Sequence, residues 1–148
     1  MRKYQSFSSK QTRQLGENFA RRVLSGRPQK SATLVGLQGA SGSGKTTFVQ
    51  GFLRGLGTSR RTASPTFVIA KRVRIRKGLY RDFFHVDLYR LKAPVSLESL
   101  GFREALRDPR NIFLIEWADR AKRLLLKRDA RLRFLHGKHP HERLISFR

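Results

Sequence analysis

Gly39-Ala40-Ser41-Gly42-Ser43-Gly44-Lys45-Thr46 is the stretch whose reading decides the fold. It satisfies G-x-x-x-x-G-K-[ST], the pattern of a phosphate-binding loop. The flanks have the order such a loop needs. Before it, Ala32-Thr33-Leu34-Val35-Gly36-Leu37 is apolar and partly β-branched, which predicts a buried strand over 32–38. After it, Phe48, Phe52 and Leu56 recur every four residues, with Val49 and Leu53 beside them. That spacing predicts a helix over 45–56, stopped at Gly57. Glycines at 39, 42 and 44 let the backbone approach a phosphate closely. The loop N–H groups and the positive end of the helix then face an anion. Lys45 can reach the β- and γ-phosphates, and the Thr46 hydroxyl can bind Mg²⁺. A Gly/Ser turn with a chance lysine would not need this strand and this helix around it.

Working outward, residues 8–25 read as a helix. Ser8 or Ser9 caps it, Leu15, Phe19 and Val23 share a face with Thr12, and Gly26-Arg27-Pro28 ends it. A polar connection delivers Ser64-Pro65-Thr66-Phe67, where proline fixes the backbone between two hydroxyls. Those hydroxyls suit a phosphate or a metal-bound water, and the segment suits a turn into a strand equally well. Strands follow at 66–76 and 79–88. In the first, Arg72, Arg74 and Arg76 alternate with Val73 and Ile75, so period two puts three guanidinium groups on one face. That face suits phosphates, or is a solvated edge blunted by charge.

Two acids end apolar strands. Asp87 follows Phe83-Phe84-His85-Val86, and Glu116 follows Ile112-Phe113-Leu114-Ile115. P-loop proteins hold Mg²⁺ with an acid placed in this way, so either residue can fill that position. His85 reads as a packed or hydrogen-bonded strand histidine. Between the acids, residues 96–106 read as two short helical turns broken at Gly101. A short basic helix is predicted over 118–127, and strands over 131–135 and 142–147. The loop holding His136, His139 and His141 has only Glu142 as an acidic partner, which is a poor metal site.

Length and composition bound the rest. The 148 residues fit a single domain spanning 1–148. No run is long enough and apolar enough to span a bilayer. The N-terminus leads into no signal core. Cysteine is absent, which excludes disulfides and thiolate metal sites and fits a cytoplasmic protein. Lys and Arg number 33 against 10 acids, a formal net charge of +23. Such a field attracts polyanions, RNA first among them, or marks a broadly solvated basic surface.

These blocks in this order resemble the TsaE (YjeE) family of small bacterial P-loop ATPases. The resemblance rests on GASGSGKTTF at 39–48, SPTF at 64–67, HVDLYRL at 85–91, LESLGFREAL at 97–106 and IEW at 115–117. It implies an α/β, P-loop NTPase-like three-layer fold with a mixed central sheet. It implies ATP and Mg²⁺ as ligands, slow hydrolysis, and a role in making threonylcarbamoyladenosine in tRNA beside TsaB- and TsaD-type subunits. By motif match, Gly39, Ala40, Ser41, Gly42, Ser43, Gly44, Lys45, Thr46 and Thr47 would cradle the nucleotide. Thr46 and Glu116 would hold the metal, and Asp87 would be a second essential acid near the metal or the attacking water. Thr66 would sit in a switch-like loop and Trp117 beside the nucleotide. Two positions depart from the family pattern: Ala40 stands where an acid is usual, and Ala70-Lys71 where an acid is frequent. tRNA contact through Arg72, Arg74 and Arg76 is the further expectation.

Two other functions use the same residues. A small-molecule phosphotransferase shares the loop but needs an acceptor pocket and an arginine-rich lid, for which only Arg120 and Arg123 offer themselves. A basic RNA-binding protein with an inactive loop would not need Lys45 and Thr46 intact.

Overall fold

The period-four apolar face after the glycine-rich loop becomes helix α2 (Lys45–Gly55). Phe48, Val49, Phe52, Leu53 and Leu56 are all buried. In the computed structural model, residues 1–27, 29–58, 70–121 and 129–148 are described. Ser64, Pro65, Thr66, Phe67 and Arg123 therefore lie outside the described residues. Strand β2 (Thr33–Gln38) feeds the loop. The predicted N-terminal helix is α1 (Ser9–Ser25), capped by Ser8, whose side chain accepts from the Gln11 N–H.

Among the described residues, seven strands form one mixed sheet in the order β1-β7-β6-β2-β5-β4-β3. They are β1 (Arg2–Ser6), β2, β3 (Ala70–Lys77), β4 (Tyr80–Asp87), β5 (Asn111–Glu116), β6 (Ala130–His136) and β7 (Arg143–Phe147). The centre is parallel, with β2 between β5 and β6 and β4 beyond β5. The edges are antiparallel: β3 on β4, β7 on β6, and β1 on β7.

Alternation along the strands builds a core on each face. Val35, Leu37, Ile112, Leu114, Leu132, Phe134 and Ile145 pack with α1 and α2. The two helices meet at backbone distance. A methyl group on Gly51 would lie 1.9 Å from the Arg13 carbonyl oxygen, and one on Gly16 would lie 2.2 Å from that of Phe48. On the other face, Phe84, Val86, Phe113 and Ile115 pack with Leu97 and Phe102. Phe84 and Phe113 stack there at 4.5 Å between centroids. The turns covering this second core are a 3₁₀ turn at Glu98–Leu100 and helix α3 (Arg103–Arg107). They are separated by Gly101 at φ 91°, as the sequence predicts. The result is three layers over the β2, β5 and β4 half of the sheet.

Four features differ from expectation. Strand β1 was not foreseen, because Arg2-Lys3-Tyr4-Gln5-Ser6 buries only Ser6; it is an edge strand held by its ladder. The predicted 118–127 helix begins as a 3₁₀ turn (Ala118–Arg120) and is extended at Ala121, where it bridges Val95. Residues 122–128 are outside the described ones. On β3, register shifts between Arg74 and Lys77, with Arg76 at φ 43°. This bulge takes Arg76 out of the alternation, so three arginines do not share one regular face. Arg72 and Arg74 do share a side, but both reach Asp82, at 2.8 and 3.5 Å. One carboxylate, shared with Arg81 as well, thus orients both guanidinium groups while their side chains stay about half exposed.

Candidate functional site

The loop geometry follows from its glycines. Gly39 has φ 146°, and a methyl there would lie 2.5 Å from the Phe134 carbonyl oxygen. Gly44, the residue before α2, is left-handed at φ 101°. Neither position accepts a side chain at ordinary cost. Gly44 supplies no side-chain cap and the first turn of α2 has no acid. The helix start therefore offers its N–H groups and partial positive charge to an external anion.

Lys45 folds back across this loop. Its Nζ donates to the carbonyl oxygens of Gly39 (2.7 Å) and Ala40 (2.8 Å). It also sits 4.7 Å from the centre of the Trp117 ring. Burial pushes the ammonium pKa down, and the charges of Glu116, Asp87 and Asp119 oppose that shift. A buried cation on neutral carbonyls gains from an arriving phosphate.

The two acids stand side by side. Asp87 ends β4, Glu116 ends β5, and the two are register neighbours in a parallel pair. Their Cα atoms are thus about 4.8 Å apart. Glu116 is also the register neighbour of Leu37, one residue before the strand enters the loop. This is the carboxyl edge of the parallel strands, where ligands of open α/β sheets bind. Glu116 is buried, and its Oε2 lies 2.7 Å from His85 Nε2, itself buried. His85 is thus a hydrogen-bonded strand histidine. Its Nδ1 has no hydrogen-bond partner among the described residues. Asp87 Oδ1 accepts from the Tyr89 N–H at 2.9 Å. Burial raises the Asp87 pKa and the Glu116 charge adds to the rise, while the Tyr89 N–H, His85 and Lys45 pull it back.

Trp117 is held in a left-handed conformation at φ 57°, a strained geometry for an aromatic residue. The strain turns its ring towards Lys45. Arg120 also lies over this ring, its guanidinium carbon 4.9 Å from the Trp117 centroid. Its Nη1 donates to the carbonyls of Tyr89 and Leu91. Arg120 thus ties the 88–91 turn to the turn after β5, and is not a lid arginine.

A cleft of about 320 Å³ gathers Ser41, Gly42, Gly44, Lys45, Thr46, Thr47, Asp87, Glu116 and Trp117. Gly39, Ala40 and Ser43 shape the loop behind it; Ser43 is buried. Sequence reasoning missed Ser8, Ser9, Thr12, Tyr89, His141 and Arg143, which complete the wall. Only the capping role of Ser8 or Ser9 was visible in the chain. The histidine loop forms no metal cluster among the described residues. Instead, Glu142 accepts from the N–H groups of Lys138 and His139. His136 approaches the Ser41 carbonyl.

Thr46, Asp87 and Glu116 present the hard oxygen donors that suit Mg²⁺. With Lys45 and the helix start beside them, they fit a nucleotide triphosphate and its metal.

Residues 6–145 match the family described as Threonylcarbamoyl adenosine biosynthesis protein TsaE. This chain belongs to the TsaE family. Among TsaE relatives, the tRNA threonylcarbamoyladenosine biosynthesis protein TsaE of Haemophilus influenzae is 35% identical over 77% of this chain and 69% of its own. The protein of the same name from Streptomyces coelicolor is 36% identical over 82% of this chain and 76% of its own. The crystal structure of Bacillus subtilis YdiB superposes with a TM-score of 0.73, covering 99% of this TsaE-family chain and 83% of that one, at 26% identity. The mixed-sheet α/β architecture is therefore the family's. Among the described residues, no helix is long and apolar enough to cross a membrane.

Proposed function

We propose that this chain binds ATP with Mg²⁺ in the cleft between the β2–α2 loop and the ends of β4 and β5, and hydrolyses it slowly. In doing so it resets the TsaB/TsaD-type transferase that modifies the adenosine next to the tRNA anticodon, in the cytoplasm. The observation that carries this is the convergence of Lys45, Thr46, Asp87 and Glu116 on one cleft.

Lys45 gives up neutral carbonyl partners for phosphate oxygens and neutralises their charge. The loop N–H groups orient the phosphates. Thr46, Glu116 and Asp87 would hold Mg²⁺, which supplies neutralisation of charge developing on the phosphoryl oxygens. His85 occupies Glu116 Oε2 and so fixes the carboxylate plane. Asp87, beside the Mg²⁺ position, would orient the attacking water. The Trp117 ring excludes solvent from Lys45. Thr66, in the family's switch-like loop, is proposed to respond to the γ-phosphate.

A phosphotransferase role is the weaker reading, because Arg120 is engaged by backbone carbonyls. The test is phosphate release from ATP with and without the TsaB- and TsaD-type subunits and tRNA, beside a screen of hydroxyl acceptors. Slow Mg²⁺-dependent release altered by the subunits is expected. Stoichiometric transfer to an acceptor, or no release in any combination, would overturn the proposal.

A further inference from the structure

Half of one sheet face has no described helix over it. The helices α1 and α2 cover the face carrying Leu132, Phe134, Ile145 and Phe147. The opposite face is covered by the turns at 97–106 only over β5, β4 and the start of β2. Over β6, β7 and β1 the outward residues stay exposed, Leu135 at 44% and Leu144 at 41%.

The ladder settles which residues share that face, because directly opposed residues of antiparallel strands point the same way. Lys3 opposes Ser146 on β7, and Ser146 opposes Arg133 on β6. This row spans three strands, so Lys3 and Arg133 stand about 10 Å apart at their backbones. In the next row, Arg131 and Arg148 exchange both backbone hydrogen bonds, at 3.0 and 2.9 Å. In the row on the other side lie Gln5, Leu144 and Leu135. These rows border a groove of about 690 Å³. Lys3, Arg133 and Arg148 form no ion pair among the described residues. The nearby acid, Glu142, is turned in to Gln5 and the hairpin N–H groups.

Compare the other basic strand. On β3, Arg72 and Arg74 are held by the buried carboxylate of Asp82, and hydrogen bonding from Arg72 lowers the Asp82 pKa. That single carboxylate, shared with Arg81, does not neutralise the strand, but it turns both guanidinium groups towards itself and fixes them there. On the open face, Lys3, Arg133 and Arg148 have no such carboxylate partner among the described residues.

We propose that the exposed β6-β7-β1 face is a binding surface for the sugar-phosphate backbone of RNA, with Lys3, Arg133 and Arg148 as its phosphate contacts. Charge complementarity selects a polyanion. The net charge of +23 supplies the long-range attraction, and the rows supply a flat platform several residues wide. The stems of the arginines and the Leu135–Leu144 row give apolar backing for sugars or bases. The surface lies on the far side of the sheet from α1 and α2, and none of its three cations lines the nucleotide cleft. It therefore stands independently of the ATPase reading.

The experiment uses the full chain and an unmodified tRNA transcript without ATP, with affinity measured across a salt series. In the triple variant Lys3→Gln/Arg133→Gln/Arg148→Gln, binding weakens roughly tenfold or more, and the slope of log affinity against log salt falls by about 2 to 3. The pair Arg72→Gln/Arg74→Gln leaves both nearly unchanged. Nucleotide binding by the triple variant stays at wild-type level, which also shows that it folds. Independently, tRNA protects Lys3 of the wild-type protein from acetylation, read by mass spectrometry. Wild-type affinity and slope in the triple variant overturn the proposal, as does an unprotected Lys3 in the bound complex. Loss of binding to the TsaB- and TsaD-type subunits with tRNA binding intact also overturns it, and makes the face a protein interface.

Discussion

Replacing His85 with leucine probes how the site acid is held. His85 Nε2 and Glu116 Oε2 lie 2.7 Å apart, with the side chains 1% and 3% exposed. No water can take over the lost contact without entering the core. A hydrogen bond to a charged group contributes about 1.5–3 kcal/mol, and a buried acceptor left unsatisfied costs about as much. Part of this is offset, because His85 Nδ1 already lacks a partner among the described residues and leucine removes that buried polar atom. A net loss of about 2 kcal/mol follows, which for a chain of this size lowers the melting temperature by roughly 4–8 °C. The loss must run through Glu116. Urea unfolding of the wild type, His85→Leu, Glu116→Leu and the double variant isolates a coupling of about 1.5–3 kcal/mol. Hydrolysis by His85→Leu should fall more than ATP binding does, because the carboxylate is misaligned while the loop is intact. A coupling within about 0.5 kcal/mol of zero would refute the reasoning.

Further outcomes are expected. Glu116→Ala and Asp87→Ala each impair hydrolysis more than folding, and Glu116→Ala weakens Mg²⁺ dependence more, as Mg²⁺ titration against turnover reads; wild-type curves for both would remove the two-acid site. Trp117 is the one tryptophan of the chain and sits 4.7 Å from Lys45 Nζ, so its fluorescence changes when ATP draws Lys45 away; an unchanged spectrum at saturating ATP contradicts this. Gly51→Ala destabilises, because a methyl 1.9 Å from the Arg13 carbonyl oxygen forces α1 and α2 apart at about 1–3 kcal/mol, more than the ~1 kcal/mol of helix propensity gained; a raised urea midpoint would contradict it. Hydrogen bonds from Arg110 hold the Asp108 pKa down at about 2. The stability this adds is present above the ordinary value of 3.8 and is lost as pH falls from there towards 2. Carboxyl titration by NMR should show the low midpoint, and Arg110→Ala should raise it.

The elements legible in the chain were those with a period and a stop. Helix α2 was visible because Phe48, Phe52 and Leu56 repeat and Gly57 ends the run. Strands β4 and β5 were visible because a mostly apolar run precedes each acid, Phe83-Phe84-His85-Val86 before Asp87 and Ile112-Phe113-Leu114-Ile115 before Glu116. Strand β1 was not, because an edge strand with one buried residue leaves no alternation. The β3 bulge was hidden too: alternation of arginines assumes a regular ladder, and the register shifts between Arg74 and Lys77, where Lys77 pairs with Tyr80 across the two-residue turn Gly78-Leu79. For the site, motif spacing located Lys45, Thr46, Asp87 and Glu116, and the family resemblance added Trp117. It could not locate Ser8, Thr12 or Arg143, which reach the cleft only because β7 and the start of α1 close over the loop. Asp82 shows the same limit. Its pairing with Arg72 and Arg74 depends on cross-strand register, and that pairing anchors half of a basic stripe on one buried carboxylate.

Lys45 is proposed to hold a nucleoside triphosphate in this cleft. Calorimetric titration of ATP with Mg²⁺ into the wild type and into Lys45→Ala tests it most directly. Saturable binding at one site in the wild type is predicted, lost in a Lys45→Ala protein whose circular dichroism is unchanged. No saturable binding to the wild type, or equal binding by the folded variant, would contradict the account.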